Sequence, residues 1–181
     1  RLGRERNTIN LEYMLVDLKG KRPKPRLVDR VILPLTGTIA QGADVFLLID
    51  ASGSMKANDS ARYRIEASRY LVRELQALTE ENPDADFRVA SIFFNGQVLA
   101  YSELTPISLH ESDAVARLLS SIEQGDAQSV TNLDAPFEEV LSHARRGELD
   151  HPLVVLFFTD GVHTQGPLQS VWRELHQYTQ E

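Results

Sequence analysis

The sequence predicts an α/β fold: a Rossmann-like, doubly wound, mostly parallel sheet with one antiparallel edge strand. Two apolar runs without polar alternation, residues 45–49 and 153–158, are typical of strands buried on both faces of a parallel sheet. Amphipathic helical patterns lie between them, and strands that alternate with helices favour a parallel, doubly wound topology. Asn95-Gly96 follows another apolar run and is a strong hairpin signal, so one strand is expected to fold back antiparallel.

Composition restricts the class of protein and its partners. The chain has 181 residues, 42% of them hydrophobic and 25% charged, with a net charge of -7. This composition predicts a globular domain with an extension and argues against binding to nucleic acid or to anionic membranes. There is no cysteine, which excludes disulfides and thiolate metal sites, and no apolar run is long enough to span a membrane. The missing cysteine and the lack of secretion features lean slightly towards a cytoplasmic location.

Residues 1–42 differ in pattern from the rest of the chain. Two extended segments, Leu11 to Leu18 and Leu27 to Leu35, flank a stretch with five cations among residues 19–26. Prolines and a glycine break regular structure there, and like charges stay solvated. We expect an N-terminal arm or β-hairpin with a basic tip, which is either an ordinary solvated connection or a docking patch for an acidic partner. Residues 36–43 are the predicted linker.

The main domain is expected to cover residues 43–181, and each of its elements follows from hydrophobic periodicity and local start and stop signals. The buried first strand ends at Asp50, and the apolar positions after it recur at helical spacing up to Pro83. In chain order, the further predictions are a helix with the inner face Ala61, Ile65, Ser68, Val72 and Leu75, a strand Phe87 to Phe94, an edge strand Gln97 to Tyr101, a helix capped by Ser112 with the inner side Val115, Leu118, Leu119 and Ile122, a loop 125–130, a helix Asp134 to Arg145, a strand Leu153 to Phe158 and a helix Leu168 to Tyr178.

Small oxygen-bearing side chains follow the predicted strands at one edge of the sheet. Asp50 ends the first strand, with Ser52 and Ser54 directly after it, and Asp160 follows the second apolar strand. Thr131 lies on the loop before a predicted helix. Each residue alone has a simpler interpretation, as a cap of backbone amides or as part of a turn. Together they place five oxygen ligands from three segments where open α/β sheets bind ligands.

These five positions resemble the metal-ion-dependent adhesion site of the von Willebrand factor A family, which includes the integrin inserted domains. The family pattern is Asp-x-Ser-x-Ser, a later Thr and a later Asp, matched here by Asp50, Ser52, Ser54, Thr131 and Asp160. The resemblance implies a Mg²⁺ site, or one for Mn²⁺ or Ca²⁺, with direct coordination by the three hydroxyls and contact through water by the two carboxylates. It further implies that a Glu or Asp of a partner protein completes the coordination and that Thr131 moves as the partner binds.

The family's sheet normally continues beyond four core strands. The resemblance therefore implies that the domain is cut short at its C-terminus, or that the strands predicted between residues 11 and 35 complete the sheet by another route.

Two classes of function are compatible with such a site. The first is a metal-dependent protein-interaction module, either adhesin-like or an intracellular scaffold in a larger assembly, like the A-domain subunits that act with AAA+ ATPases in metal chelatases. The second is a hydrolase that uses Asp50, Asp160 and a cation. Catalysis is disfavoured because an aspartyl phosphotransferase carries a second acid where Ser52 stands, and no Gly-x-Ser-x-Gly motif occurs. His163 is either a base or, as we expect, an ordinary residue at the rim.

Overall fold

A computed structural model describes the chain over residues 8–16, 25–34, 42–108, 112–122 and 130–160, together with positions 171 and 174. Its elements, in chain order, are β1 (Thr8–Val16), β2 (Pro25–Pro34), β3 (Gly42–Asp50), α1 (Met55–Asn58), α2 (Tyr63–Glu81), β4 (Asp86–Phe94), β5 (Val98–Tyr101), β6 (Thr105–Pro106), α3 (Ser112–Ser121), α4 (Asp134–Arg145) and β7 (Leu153–Phe158). None of the described helices has both the length and the apolar character needed to cross a membrane.

Strand β3 lies at the centre of the main sheet. It pairs in parallel with β4 on one side and with β7 on the other, so that Asp50 lies opposite Phe94 and Ile49 lies opposite Phe158. In the order β5-β4-β3-β7, the chain runs from β3 to β4 and then returns past β3 to β7. Ligand sites of doubly wound sheets form at such a reversal, outside the carboxyl ends of the strands. The predicted α/β fold with a mostly parallel sheet is confirmed.

Two hydrophobic layers cover the two faces of β3. All nine residues of the strand are buried. Val45, Leu47 and Ile49 pack with residues of α2 and α3, whereas Phe46 and Leu48 pack with residues of α4 on the opposite face. Because successive side chains of a strand point to opposite faces, burial of both faces requires an apolar residue at nearly every position. The unbroken apolar run before Asp50 is therefore explained by its central place in the sheet.

Strand β7 has the predicted bounds but is less buried than its sequence suggests. Leu153 is buried, whereas residues 154–158 are only half-buried. Within the described residues, β7 pairs with β3 alone, so nothing described there covers its second edge. Val154, Leu156 and Phe158 nevertheless pack against one hydrophobic layer, and Val155 and Phe157 pack against the other. Both faces of β7 are therefore covered by hydrophobic residues, as the apolar run predicts, although only Leu153 is fully buried.

Most helices agree with the sequence pattern, and the differences lie at element ends. Helix α2 buries the predicted residues from Ile65 onward, but Ala61 is exposed in the turn before the helix. Leu119 of α3 is half-buried. Helix α4 has the predicted bounds. The turn after β4 includes Gln97, so β5 starts one residue later than predicted, and the two-residue strand β6, which also pairs antiparallel with β4, was not predicted.

Strands β1 and β2 lie within the predicted N-terminal arm. They pair antiparallel from Thr8 opposite Pro34 to Val16 opposite Pro25 and make a separate two-stranded sheet. They therefore do not complete the main sheet. Several predictions lie outside the described residues: most of the basic tip, most of the linker, the loop up to residue 129, and the last helix apart from helical positions 171 and 174. Gly42 and Ala43, predicted as linker, belong to β3.

Candidate metal site

Asp50 is the last residue of β3 and is fully buried. Its Oδ1 accepts a hydrogen bond from the backbone N–H of Ser52 at 2.7 Å, and its Oδ2 accepts one from the hydroxyl of Thr159 at 2.7 Å. Thr159 directly follows β7, so the second bond joins the ends of two neighbouring strands. Protein donors thus orient both carboxylate oxygens, an arrangement that suits a carboxylate contacting a cation through water.

Ser52 and Ser54 present their hydroxyls side by side in the turn after β3. The two Oγ atoms are 3.0 Å apart. Mg²⁺ holds oxygen ligands at about 2.0 to 2.1 Å in octahedral geometry, which places neighbouring ligands about 2.9 Å apart. The observed spacing is that of a hydrogen bond between the two hydroxyls, and it is also compatible with two ligands of one Mg²⁺. Ser54 occupies the N-cap position of α1, yet its side chain makes no capping hydrogen bond, so the simpler interpretation as a helix cap does not account for it.

Thr131 is buried on the loop that precedes α4. The next residue anchors this loop, because the backbone N–H of Asn132 donates to the carbonyl oxygen of Asn95 at 2.7 Å. Asn95 follows the last residue of β4, which lies opposite Asp50. The side chain of Asn132 accepts the backbone N–H of Asp134 at the start of α4, at 3.1 Å. The loop thus brings Thr131 to the carboxyl edge of the sheet.

Asp160 follows β7 by two residues and is half-buried. Its Oδ2 accepts a hydrogen bond from the side-chain amide of Asn58 at 2.8 Å. Asn58 is the last residue of α1, the short helix that starts directly after Ser54. The turn that carries the two serines is therefore linked by α1 to the second carboxylate.

The structure brings all five predicted residues to the carboxyl ends of β3, β4 and β7. Sequence reasoning missed residues that orient them, among them Asn58, Thr159 and Asn132. Thr159 could have been found, because a strand parallel to β3 and ending at Phe158 places it beside Asp50. The roles of Asn58 and Asn132 depend on bonds between segments that are distant in sequence, and no local pattern indicates them.

The donor set at this edge consists of hard oxygen atoms. Among the residues that the structure describes, no group of three or more His, Cys, Asp and Glu side chains is arranged to hold a metal ion. The five predicted residues instead offer two carboxylates and three hydroxyls, which fit Mg²⁺, Mn²⁺ or Ca²⁺ better than they fit softer metals. His163 lies outside the described residues. Of the described histidines, His143 packs against the ring of Phe46, and His151 lies beside Asp44 near the opposite end of β3.

Comparison with known protein families gives one result that covers most of the chain. Residues 44–180 match the family model of the von Willebrand factor type A domain, a range that includes all five predicted site residues. No curated protein matches the chain.

Proposed function

The chain belongs to the von Willebrand factor type A domain family, whose members generally act as protein-interaction modules that often depend on a metal ion, and from this premise we propose that it binds an acidic residue of a partner protein through a divalent cation. Ser52, Ser54 and Thr131 would hold the cation directly. Asp50 and Asp160 would contact it through water. When bound, the cation supplies an electron-poor centre that accepts one further anionic oxygen.

The observation that carries this proposal is the pair of serine hydroxyls beside a fully oriented carboxylate. The two Oγ atoms are 3.0 Å apart, and both oxygens of Asp50 already accept hydrogen bonds from Ser52 and Thr159. Neutral hydroxyl ligands do not offset the charge of a cation, and Mg²⁺ readily retains water at its remaining positions. A Glu or Asp of the partner can replace such a water, which gives binding that depends on both the metal and the acidic side chain.

Binding of Mn²⁺, with water-proton relaxation as the readout, tests this proposal. We expect wild type to bind Mn²⁺ and expect N-acetyl-glutamate methylamide, but not its glutamine analogue, to lower the relaxation enhancement by displacing a metal-bound water. Ser52→Ala should weaken Mn²⁺ binding at least about tenfold because it removes a proposed ligand. Ser91→Ala is the matched control: Ser91 is also buried, but it lies within β4 and bonds to Ser102 and Ser121. Equal effects of the glutamate and glutamine compounds would contradict carboxylate recognition.

We further propose that the site is not catalytic. A hydrolase that uses Asp50 as a nucleophile needs a carboxylate that a substrate can reach, whereas Asp50 has no exposed surface and both of its oxygens accept protein hydrogen bonds. With Mg²⁺ present, chromogenic phosphate and ester substrates should show no turnover above that of the Asp50→Ala variant. Turnover by wild type that the variant loses would favour the metal-assisted hydrolase instead.

A further inference from the structure

The side chain of Arg64, at the start of α2, contacts the backbone of Asp50, directly before the turn that carries the two serines. It is 4% exposed. Its Nε donates to the backbone carbonyl oxygen of Asp50 at 2.7 Å, and its Nη1 donates to Oδ2 of Asp59, also at 2.7 Å. A planar guanidinium can serve two such acceptors at once from a single fixed orientation. Arg64 therefore joins the end of β3 to the turn between α1 and α2.

The peptide unit between Asp50 and Ala51 is held from both sides. Arg64 holds its carbonyl oxygen, and its N–H group, which belongs to Ala51, donates to the carbonyl oxygen of Phe94 in β4 at 2.8 Å. The orientation of this peptide sets the direction in which the chain leaves β3. Because Ser52 follows immediately, the bond from Arg64 determines where the turn places its hydroxyl and the backbone N–H that orients the Asp50 carboxylate.

Asp59 binds both the backbone at the start of α2 and the side chain of Arg64. Its Oδ1 accepts the backbone N–H of Tyr63 at 2.7 Å, and its Oδ2 accepts the backbone N–H of Arg64 at 3.2 Å in addition to the guanidinium. Arg62, which lies between Asp59 and Tyr63, has a left-handed backbone with φ 59°. It is the only non-glycine residue with positive φ in the described part of the chain. Such a conformation persists where surrounding bonds over-determine it, and such residues cluster at functional sites.

We infer that Asn58, Asp59 and Arg64, called here the Arg64 network, form a positioning unit that sets the metal affinity of the proposed site. Arg64 fixes the backbone of Asp50, while Asn58, at the end of α1, donates to the carboxylate of Asp160 at 2.8 Å. The segment from Asn58 to Arg64 thus contacts both of the carboxylate-bearing residues, which follow different strands. This inference rests on the proposed metal site, but it assigns function to residues outside the five predicted ligands.

The charges of the network support this role. Arg64 pairs with Asp59 at 2.7 Å, so a third carboxylate stands close to the site without adding an unbalanced negative charge to it. Lysine at the same position would place a single ammonium where two separate acceptors need fixed donors.

The dissociation constant of Mn²⁺ alone, measured from the electron paramagnetic resonance signal of free Mn²⁺, tests this inference. Residues that orient metal ligands typically change metal affinity by about 10- to 100-fold when they are replaced. We expect a loss of that size for Arg64→Lys and for Asn58→Ala. Asn58 is half-buried at the end of α1, so its replacement keeps the test valid if the Arg64 variant does not fold. Circular dichroism at the binding temperature establishes that each variant is folded.

Arg88→Lys is the matched control. Arg88 also donates to a buried aspartate, Asp44, through two hydrogen bonds of 2.7 and 2.6 Å, but Asp44 lies near the amino end of β3, away from the site. This variant should lower the unfolding midpoint in chelator and leave Mn²⁺ affinity unchanged. If Arg64→Lys and Asn58→Ala bind Mn²⁺ as tightly as wild type, or if Arg88→Lys loses as much Mn²⁺ affinity as they do, this inference is overturned while the proposed function stands. Failure of wild type to bind Mn²⁺ would overturn the proposed function together with it.

Discussion

Mg²⁺ or Mn²⁺ at about 100 times its dissociation constant is expected to raise the midpoint of thermal unfolding by about 5 to 10 °C above that in excess chelator. A ligand that binds only the native state at this concentration adds about 2.7 kcal/mol to the free energy of unfolding. For a chain of this size, each kcal/mol shifts the midpoint by about 2 to 4 °C. Differential scanning calorimetry with and without chelator measures the shift directly.

The Asp50→Ala variant should abolish this metal-dependent shift. Its midpoint in chelator should also fall, because Ser52 and Thr159 lose their shared acceptor, so the informative quantity is the difference between the metal and chelator conditions. Asp84→Ala provides a control: Asp84 is an exposed carboxylate in the turn before β4, and its loss should leave the shift intact. A flat response in wild type would remove the metal from the proposal and leave an interaction domain that does not depend on one.

Replacement of Arg88 by Met is expected to lower the free energy of unfolding by about 3 to 5 kcal/mol. Asp44 has no exposed surface, and the guanidinium of Arg88 donates two hydrogen bonds to its carboxylate. Without the guanidinium, Asp44 is left as a buried charge held by the backbone N–H groups of Asp150 and His151 and by the nearby ring of His151. Urea unfolding at pH 7 measures the loss.

Asp44→Asn separates the charge from the hydrogen bonds at this position. The double variant Asp44→Asn/Arg88→Met should lose less than the sum of the single variants, since no buried carboxylate remains unpaired. Burial opposes ionisation of Asp44, but the hydrogen bonds from Arg88 and from the backbone of His151 outweigh it and hold the pKa of Asp44 below its ordinary value. Its stabilising contribution is therefore complete above about pH 4 and is lost as the pH falls through the lowered pKa.

The Asp44→Asn variant should accordingly show a weaker fall in stability than wild type as the pH is lowered from 5 to 2. A loss below about 1 kcal/mol in Arg88→Met would place this pair among weak surface ion pairs and contradict the argument from burial.

The elements that the sequence predicted best are those with an unbroken local pattern. Helix α4 and strand β7 have the predicted bounds, and β3 extends the predicted strand at its amino end. Errors occur where neighbours decide the outcome. Ala61 continues the helical spacing, yet it is exposed in the turn that Asp59 and Arg64 organise, and β6 is too short to carry any periodicity.

The candidate site divides in the same way. Asp50, Ser52 and Ser54 are contiguous, so one turn after a buried strand was enough to predict them as a group. Thr131 and Asp160 could be predicted only through the order of the strands and the resemblance to a family. Asn58, which orients Asp160, and Arg64, which holds the backbone of Asp50, donate to acceptors 102 and 14 positions away in the chain, and no spacing rule reveals such bonds.

By itself the sequence determined the class of fold, the strand that ends at Asp50 and the chemistry of the oxygen-bearing side chains, because hydrophobic periodicity and residue type are local properties. Only the tertiary structure decided which strand ends are neighbours, that both carboxylate oxygens of Asp50 accept protein hydrogen bonds, and that Arg64 binds the backbone carbonyl oxygen of Asp50. The physical reason is that hydrogen-bond geometry depends on distances between segments that the fold brings together, and these distances are set by the packing of helices on both faces of β3.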